Sequence, residues 1–93
     1  MSPRFARDVR RLSAAERAAA VAAAKELAED LNAKVRPRPG LRVKRVRSAP
    51  PGVLEMTWAP DGRATFEFGR EIRSGEAHVV WRRIGSHAIF ANP

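Results

Sequence analysis

The stretch Val53-Leu54-Glu55-Met56-Thr57-Trp58-Ala59-Pro60-Asp61-Gly62-Arg63-Ala64-Thr65-Phe66-Glu67-Phe68 decides the fold. It contains two alternating runs on either side of a turn. In the first, Leu54, Met56 and Trp58 share one side, with Glu55 and Thr57 on the other. In the second, Ala64, Phe66 and Phe68 alternate with Arg63, Thr65 and Glu67. Alternation with a period of two marks a half-buried strand. Ala59-Pro60-Asp61-Gly62 supplies the turn, with proline fixing φ and glycine free of a Cβ. The pair therefore predicts an antiparallel hairpin. Downstream, Ser74-Gly75 predicts a second turn and Ala77–Ile84 a further strand rich in β-formers. Gly85 predicts a break before the short stretch Ser86–Phe90. Upstream, Leu41 and Val43 alternate with cations across Leu41–Arg47, a strand pattern that Val46 interrupts.

The first third follows a helical period instead. Ser2-Pro3 can start a helix over Arg4–Leu12, with Phe5, Val9 and Leu12 on one face. Ser13-Ala14-Ala15-Glu16 has the form of a capping box, and a second helix is predicted from Ala14 to Ala33. Val21, Ala24, Ala28 and Leu31 are its expected buried stripe, flanked by Leu27 and Val35. Its many alanines favour helix but carry little apolar area, so a packing partner must approach closely. Pro37 and Pro39-Gly40 end the helical regime. The predicted class is α+β: an αα-hairpin (4–33), a basic connection (34–52) and an antiparallel meander (53–90), with the helices covering one sheet face.

Length and composition bound the rest. The chain has 93 residues, one domain's worth where single domains run to roughly 100–200 residues. Charged residues are 30% and hydrophobic residues 44%, a globular balance. Without cysteine there is no disulfide framework, cysteine-ligated zinc or thiol chemistry. His78 and His87 are the only histidines and lack carboxylates at ligand spacing, so neither metal nor cofactor is expected. No apolar run approaches the ~20 residues that span a bilayer. Met1–Arg11 lacks the apolar stretch of a secretion signal, and a cytoplasmic protein with no membrane partner is expected.

The net charge is +8, and every cation except Lys25, Lys34 and Lys44 is arginine. Arginine's planar fork suits phosphate, which points to a polyanionic partner. Between Leu31 and Leu54 there is no acidic residue, while Lys34, Arg36, Arg38, Arg42, Lys44, Arg45 and Arg47 fall within it. Arg36, Arg38, Arg42, Lys44, Arg45 and Arg47 are the candidate nucleic-acid contacts. If the apolar side of the hairpin faces the helices, Glu55, Thr57, Arg63, Thr65 and Glu67 lie on the outer face. That face is either an active surface or, as is usual for antiparallel sheets, a solvated one laced with charge pairs.

Several strings, taken in order, resemble one family. They are Phe5–Leu12, Pro39–Val46, Pro51–Trp58, Asp61–Phe68 and His78-Val79-Val80-Trp81-Arg82-Arg83-Ile84-Gly85-Ser86-His87. Together they resemble the RelE/ParE superfamily of toxins from toxin–antitoxin systems, over about Phe5 to Phe90. The resemblance implies a RelE-like domain acting as a metal-independent, ribosome-dependent endoribonuclease. Such an enzyme, an mRNA interferase, has the ribosome and mRNA as partners and is neutralised by an antitoxin protein. By the same resemblance, Arg63 would steady charge on phosphorus, because its fork meets two phosphate oxygens. His87 would transfer a proton near neutral pH. Arg83 would assist at the phosphate, with Arg82 turned to the opposite face, and Glu55 or Glu67 would serve as a base. The chain departs from the family in having no tyrosine, in placing Glu55 and Thr57 where lysines serve RelE itself, and in lacking room for a strand before the first helix. The last departure leaves a sheet edge that a partner or a second copy could cover. Two alternatives stay open: a ParE-like toxin that inhibits gyrase by binding, and a non-catalytic basic module that binds nucleic acid.

Overall fold

Ser2 accepts the Phe5 amide on its hydroxyl and Pro3 occupies the first turn, so α1 runs Pro3–Arg11. Arg17 reaches back to the Val9 and Arg10 carbonyls at the other end of α1, at 3.2 and 3.5 Å. The Ser13–Glu16 capping box is complete, with Glu16 N to Ser13 Oγ at 3.1 Å and Ser13 N to Glu16 Oε1 at 2.7 Å. It opens α2, Ala14–Asn32. That helix ends in a Schellman motif: Lys34 turns left-handed (φ 58°), its amide bonds to Leu31, and the Val35 amide bonds to Asp30. The computed structural model describes residues 1–71 and 73–93.

After α2 the chain is pinned back by Arg38. Its guanidinium meets Asp30 at 2.9 Å, Glu26 at 3.2 Å and Glu29 at 3.7 Å, and its own amide bonds to Asp30 at 2.8 Å. A 3₁₀ turn, Pro39–Leu41, follows, and Arg42 leaves it in a left-handed conformation (φ 48°). This kink breaks the strand expected over Leu41–Arg47 and leaves only β1, Lys44–Arg45. The sheet continues through β2, Leu54–Thr57, β3, Gly62–Phe68, and β4, Val79–Ser86. It is antiparallel throughout in the order β1-β2-β3-β4. Gly85 does not break β4; the strand runs through it to Ser86. A second 3₁₀ turn, His87–Ala91, then folds back along β3 and β4.

The fold class is therefore α+β, with two helices on a four-stranded antiparallel sheet. The main core joins Phe5 and Leu12 of α1, Ala20, Ala23 and Leu27 of α2, and Met56, Ala64, Phe66 and Ile84 of the sheet. Helix α2 is rotated about one residue from expectation. Val21 is 53% exposed and Ala28 is exposed, while Ala20, Ala23 and Leu27 are buried. Small side chains let the helix settle on whichever face approaches the sheet most closely, and here that face has leucine at its centre. Phe68 also departs from the expected core. It lies beyond the helical cover, 51% exposed, with its ring edge-on to Phe66. Among the described residues, no helix is long and apolar enough to cross a membrane.

The β2–β3 turn is packed around Trp58. The indole Nε1 donates to the Arg63 carbonyl at 3.0 Å, and a Cβ built on Gly62 would fall 2.5 Å from the ring. Gly62→Ala is expected to destabilise the chain by about 1–3 kcal/mol through overpacking. The readout is a lower urea midpoint at unchanged slope, and an unmoved midpoint would show that the indole is not seated there.

Candidate functional site

The register sets the outer sheet face into rows. Lys44, Glu55, Thr65 and Arg83 lie side by side across the four strands, and Thr57, Arg63 and Gly85 form the next row. This face is not the open surface that alternation suggests. Thr65 is wholly buried and Glu55 nearly so, because the segment after β4 lies over the middle of the sheet. Val46, Val53 and Ile89 are buried as well, outside the main core.

A register shift between Thr65 and Phe66 changes what β4 presents. Thr65 pairs with Arg83 and Phe66 with Trp81, so Arg82 is the extra residue of a bulge. A bulge sets aside strict alternation. Arg82 and Arg83 therefore do not point to opposite faces, and both reach the same segment. Arg82 Nε donates to the Pro93 main-chain oxygen at 3.4 Å, and Arg83 Nη1 donates to that of Asn92 at 2.9 Å. Thr65 Oγ1 donates to the Pro93 oxygen at 3.2 Å, and Arg4 Nη2 also donates to Asn92.

Arg83 is fixed from below by Asp8. The carboxylate takes Arg83 Nε at 2.7 Å and Nη2 at 3.1 Å, and it takes the edge amide of Ile84 at 3.1 Å. Burial alone would raise the Asp8 carboxyl. The Arg83 and Ile84 hydrogen bonds and the charges of Arg83 and Arg4 outweigh it, and the net shift is downward. Burial disfavours the charge on Arg4, as do Arg83, Arg82 and Arg7 nearby, so its guanidinium is held below its ordinary value. Asp8 and Arg4 were not singled out in the sequence. The only signal was Asp8 as the one acid in α1, flanked by Arg7 and Arg4 at helical spacing.

The five expected catalytic residues do not form one cluster. Arg63 and His87 share an end of the sheet, since Arg63 pairs with Gly85, two residues before His87. Arg63 Nη1 is held by the carbonyls of Ala59, Pro60 and Gly62 at 3.3, 3.2 and 3.0 Å. Its Nε and Nη2 have no hydrogen-bond partner among the described residues, and neither does the ring of His87, which stands edge-on to Phe90 at 5.1 Å. Glu55 sits one row inward, 3.8 Å from Lys44. Glu67 is four residues along β3 from Arg63, about 13 Å at the usual strand rise, and faces Arg82 at 3.5 Å.

The expected nucleic-acid contacts also divide. Arg38 is enclosed by its three carboxylates and Lys44 faces Glu55. Arg36, Arg42, Arg45 and Arg47 are exposed and unpaired among the described residues. No group of three or more His, Asp or Glu side chains among those residues is arranged to hold a metal ion. Compared with family models, curated proteins and solved structures, the chain matches none.

Asp8→Ala is expected to cost about 3–5 kcal/mol, because it leaves a largely buried guanidinium unpaired. The depressed folded pKa means that the unfolded chain takes up the Asp8 proton at higher pH. This stabilisation is therefore present above the ordinary value of 3.8 and is lost as pH falls through the folded value. Unfolding by urea at pH 7 and at stepwise lower pH should show the variant's deficit shrinking with acid. A deficit constant with pH would mean that the carboxylate charge is not what stabilises the fold.

Proposed function

We propose that the chain is a RelE-like toxin: a metal-independent, ribosome-dependent endoribonuclease that cleaves mRNA and is held inactive by an antitoxin. The supporting observation is the placement of Arg63 and His87 at one exposed end of the sheet. Arg63 is steadied through Nη1 by the turn carbonyls while Nε and Nη2 stay free. A guanidinium oriented in this way presents a preset fork to phosphate oxygens. In the proposed reaction a ribose 2′-oxygen attacks the adjacent phosphorus and loses its proton to a base. The bond from phosphorus to the 5′-oxygen breaks, and His87 in its imidazolium form protonates that oxygen, leaving a 2′,3′-cyclic phosphate. Arg63 stabilises the charge gathered on the phosphoryl oxygens. Of the two carboxylates, Glu55 is nearer by register, one row from Thr57 and Arg63, whereas Glu67 belongs with Arg82.

A second reading is a binding protein without catalysis, either a ParE-like gyrase inhibitor or a basic nucleic-acid module. Two observations favour it: Arg83 is engaged by Asp8, and Phe90, with no hydroxyl, is the aromatic beside His87. The free cations Arg36, Arg42, Arg45 and Arg47 would then make the contacts, and binding would weaken steeply with salt.

Inducible expression of the wild type beside Arg63→Ala and His87→Ala separates these. Growth arrest with cleaved transcripts is expected for the wild type. Cleavage should fall about 10²–10³-fold in each variant, as for loss of a charge stabiliser or a proton donor. Arrest with DNA damage and intact transcripts would replace the nuclease with the gyrase-binding reading. Binding that persists in all three without cleavage would leave the non-catalytic module.

A further inference from the structure

A cleft of about 680 Å³ lies between α2 and the β2–β3 turn, with Ala19, Ala22 and Ala23 on one side and Leu41, Trp58 and Pro60 on the other. Alanines on this face of α2 leave the space that longer side chains would fill. The volume falls in the range of ligand sites, roughly 300–1,000 Å³. Trp58 is fixed in place on two sides. Gly62 packs over one face of the indole, where a built Cβ would stand 2.5, 2.6 and 2.8 Å from the adjacent ring atoms Cδ2, Cε2 and Cε3. The pyrrole edge is held by the bond from Nε1 to the Arg63 carbonyl at 3.0 Å. What remains toward the cleft is the opposite face and the benzo edge, a stacking surface already ordered before any ligand arrives.

The polar groups of the cleft differ in sign. Ala59 and Pro60 line it, and their carbonyls hold Arg63 Nη1, so the open Nε and Nη2 of Arg63 lie at this turn. Glu26 lines it from α2, one helical turn beyond Ala22 and Ala23 on the same face. Its Oε2 is paired with Arg38 at 3.2 Å, while Oε1 has no hydrogen-bond partner among the described residues. Glu29 and Asp30 share the same Arg38, so three carboxylates meet one guanidinium here. The cleft therefore offers a ring face, an acceptor oxygen in acidic surroundings and, at the turn, a guanidinium with open donors.

We propose that this cleft takes one unstacked base of a single-stranded RNA between Trp58 and the alanine face of α2, and that Glu26 selects a base with an exocyclic amino group. Single-stranded bases are bound by stacking on aromatic rings and by hydrogen bonds to their edges. A carboxylate accepts from the N4 amino group of cytosine, whereas uracil turns a carbonyl oxygen toward it at the same position. The phosphate joined to the bound base lies across the Ala59–Pro60 turn, toward Arg63. The choice of RNA rests on the nuclease reading above, in which the cleft selects the nucleotide beside the bond that Arg63 engages; the cleft itself does not. A basic side chain is the other ligand that an indole and a carboxylate lining one cleft could take. Arg63 at the turn and the net charge of +8 favour the polyanion.

The test compares oligo-cytidine with oligo-uridine of equal length, both made uncleavable by 2′-O-methylation. On the unaltered chain, oligo-cytidine is expected to bind about tenfold more tightly, the discrimination of one base-edge contact. Tryptophan emission reports the site: in a Trp81→Phe chain Trp58 is the one indole left, and oligo-cytidine should quench it. Glu26→Gln should erase the preference, because an amide accepts from one base and donates to the other, while Glu29 and Asp30 keep Arg38 in place. Ala22 is exposed, and leucine is a good helix former, so Ala22→Leu fills the cleft without touching the core. It should weaken oligo-cytidine about tenfold, as for loss of one base–aromatic stack. No binding of either strand, equal affinity for the two, unquenched Trp58 with oligo-cytidine bound, a preference that survives Glu26→Gln, or undiminished binding by Ala22→Leu would each overturn the proposal. Quenching by a hexa-arginine peptide and by neither strand would put a basic side chain in the cleft instead of a base. Cleavage of transcripts at the full rate by Ala22→Leu would sink this proposal and leave the nuclease standing. Cytidine-selective binding without cleavage would do the reverse.

Discussion

The Asp8–Arg83–Ile84 contact ties the helical layer to the sheet at its edge. One carboxylate accepts three N–H donors, two from a guanidinium and one from the backbone of an edge strand. A buried ion pair gains little net stability unless its remaining hydrogen-bonding capacity is used, and here both oxygens are engaged. Its value lies in specificity. It fixes the turn of α1 that faces β4, and so delivers Phe5 and Leu12 into the core on the same helix. It also covers an amide that an edge strand would otherwise leave open to another chain. The edge left free for a partner is thus smaller than a four-stranded sheet suggests, since the opposite edge, β1, is only two residues long.

Everything on the outer face follows from that anchor. With Arg83 held by Asp8, the bulge at Arg82 places a second arginine beside it, and the two collect the segment after β4. The segment buries Thr65 and divides the face into a covered middle and an open end. The chemistry proposed at the open end draws on Arg63, His87 and whatever Glu55 can reach. Any ligand that tracks along the sheet must first contend with the covering segment.

The hairpin, its turn and both helix starts were legible because each is local. Alternation over Leu54–Trp58, the Pro-Asp-Gly turn and the Ser13–Glu16 box depend on neighbours a few residues apart. What failed depended on distant parts of the chain. Which alanines of α2 are buried is set by the fit to the sheet, since alanine itself gives no preference. The facing of Arg82 and Arg83 follows from a bulge, and no rule of alternation contains one. The roles of Asp8 and Arg4 depend on partners 75 and 88 residues away. Of the candidate site, the position of Arg63 just after the hairpin turn was legible from Asp61-Gly62, whereas its pairing with Gly85, in a strand expected to break there, and the occupation of the face by the chain's own segment had no signature in sequence.

The same contacts give the excess of arginine over lysine a structural reason. Arg17 closes the end of α1, Arg38 spans three carboxylates, Arg63 gathers three turn carbonyls, and Arg83 bridges Asp8 to Asn92. Each task needs several donors in a fixed plane, which a lysine ammonium does not offer. Arg38 and Arg83, paired with carboxylates, are unavailable to a polyanion as free charges, whereas Arg63 keeps its charge and leaves Nε and Nη2 open. Among the described residues, the cations whose side chains have no partner include two groups, Arg7, Arg10 and Arg11 on α1 and Arg42, Arg45 and Arg47 around β1, besides Lys25, Arg36, Arg70 and Arg73 elsewhere. Helix α1 lies along β4, three strand spacings from β1, or about 14 Å. This exceeds the screening length of about 8 Å at physiological salt. The two groups therefore act on a ligand as separate electrostatic surfaces, and the net charge of +8 overstates the field that any one phosphate meets.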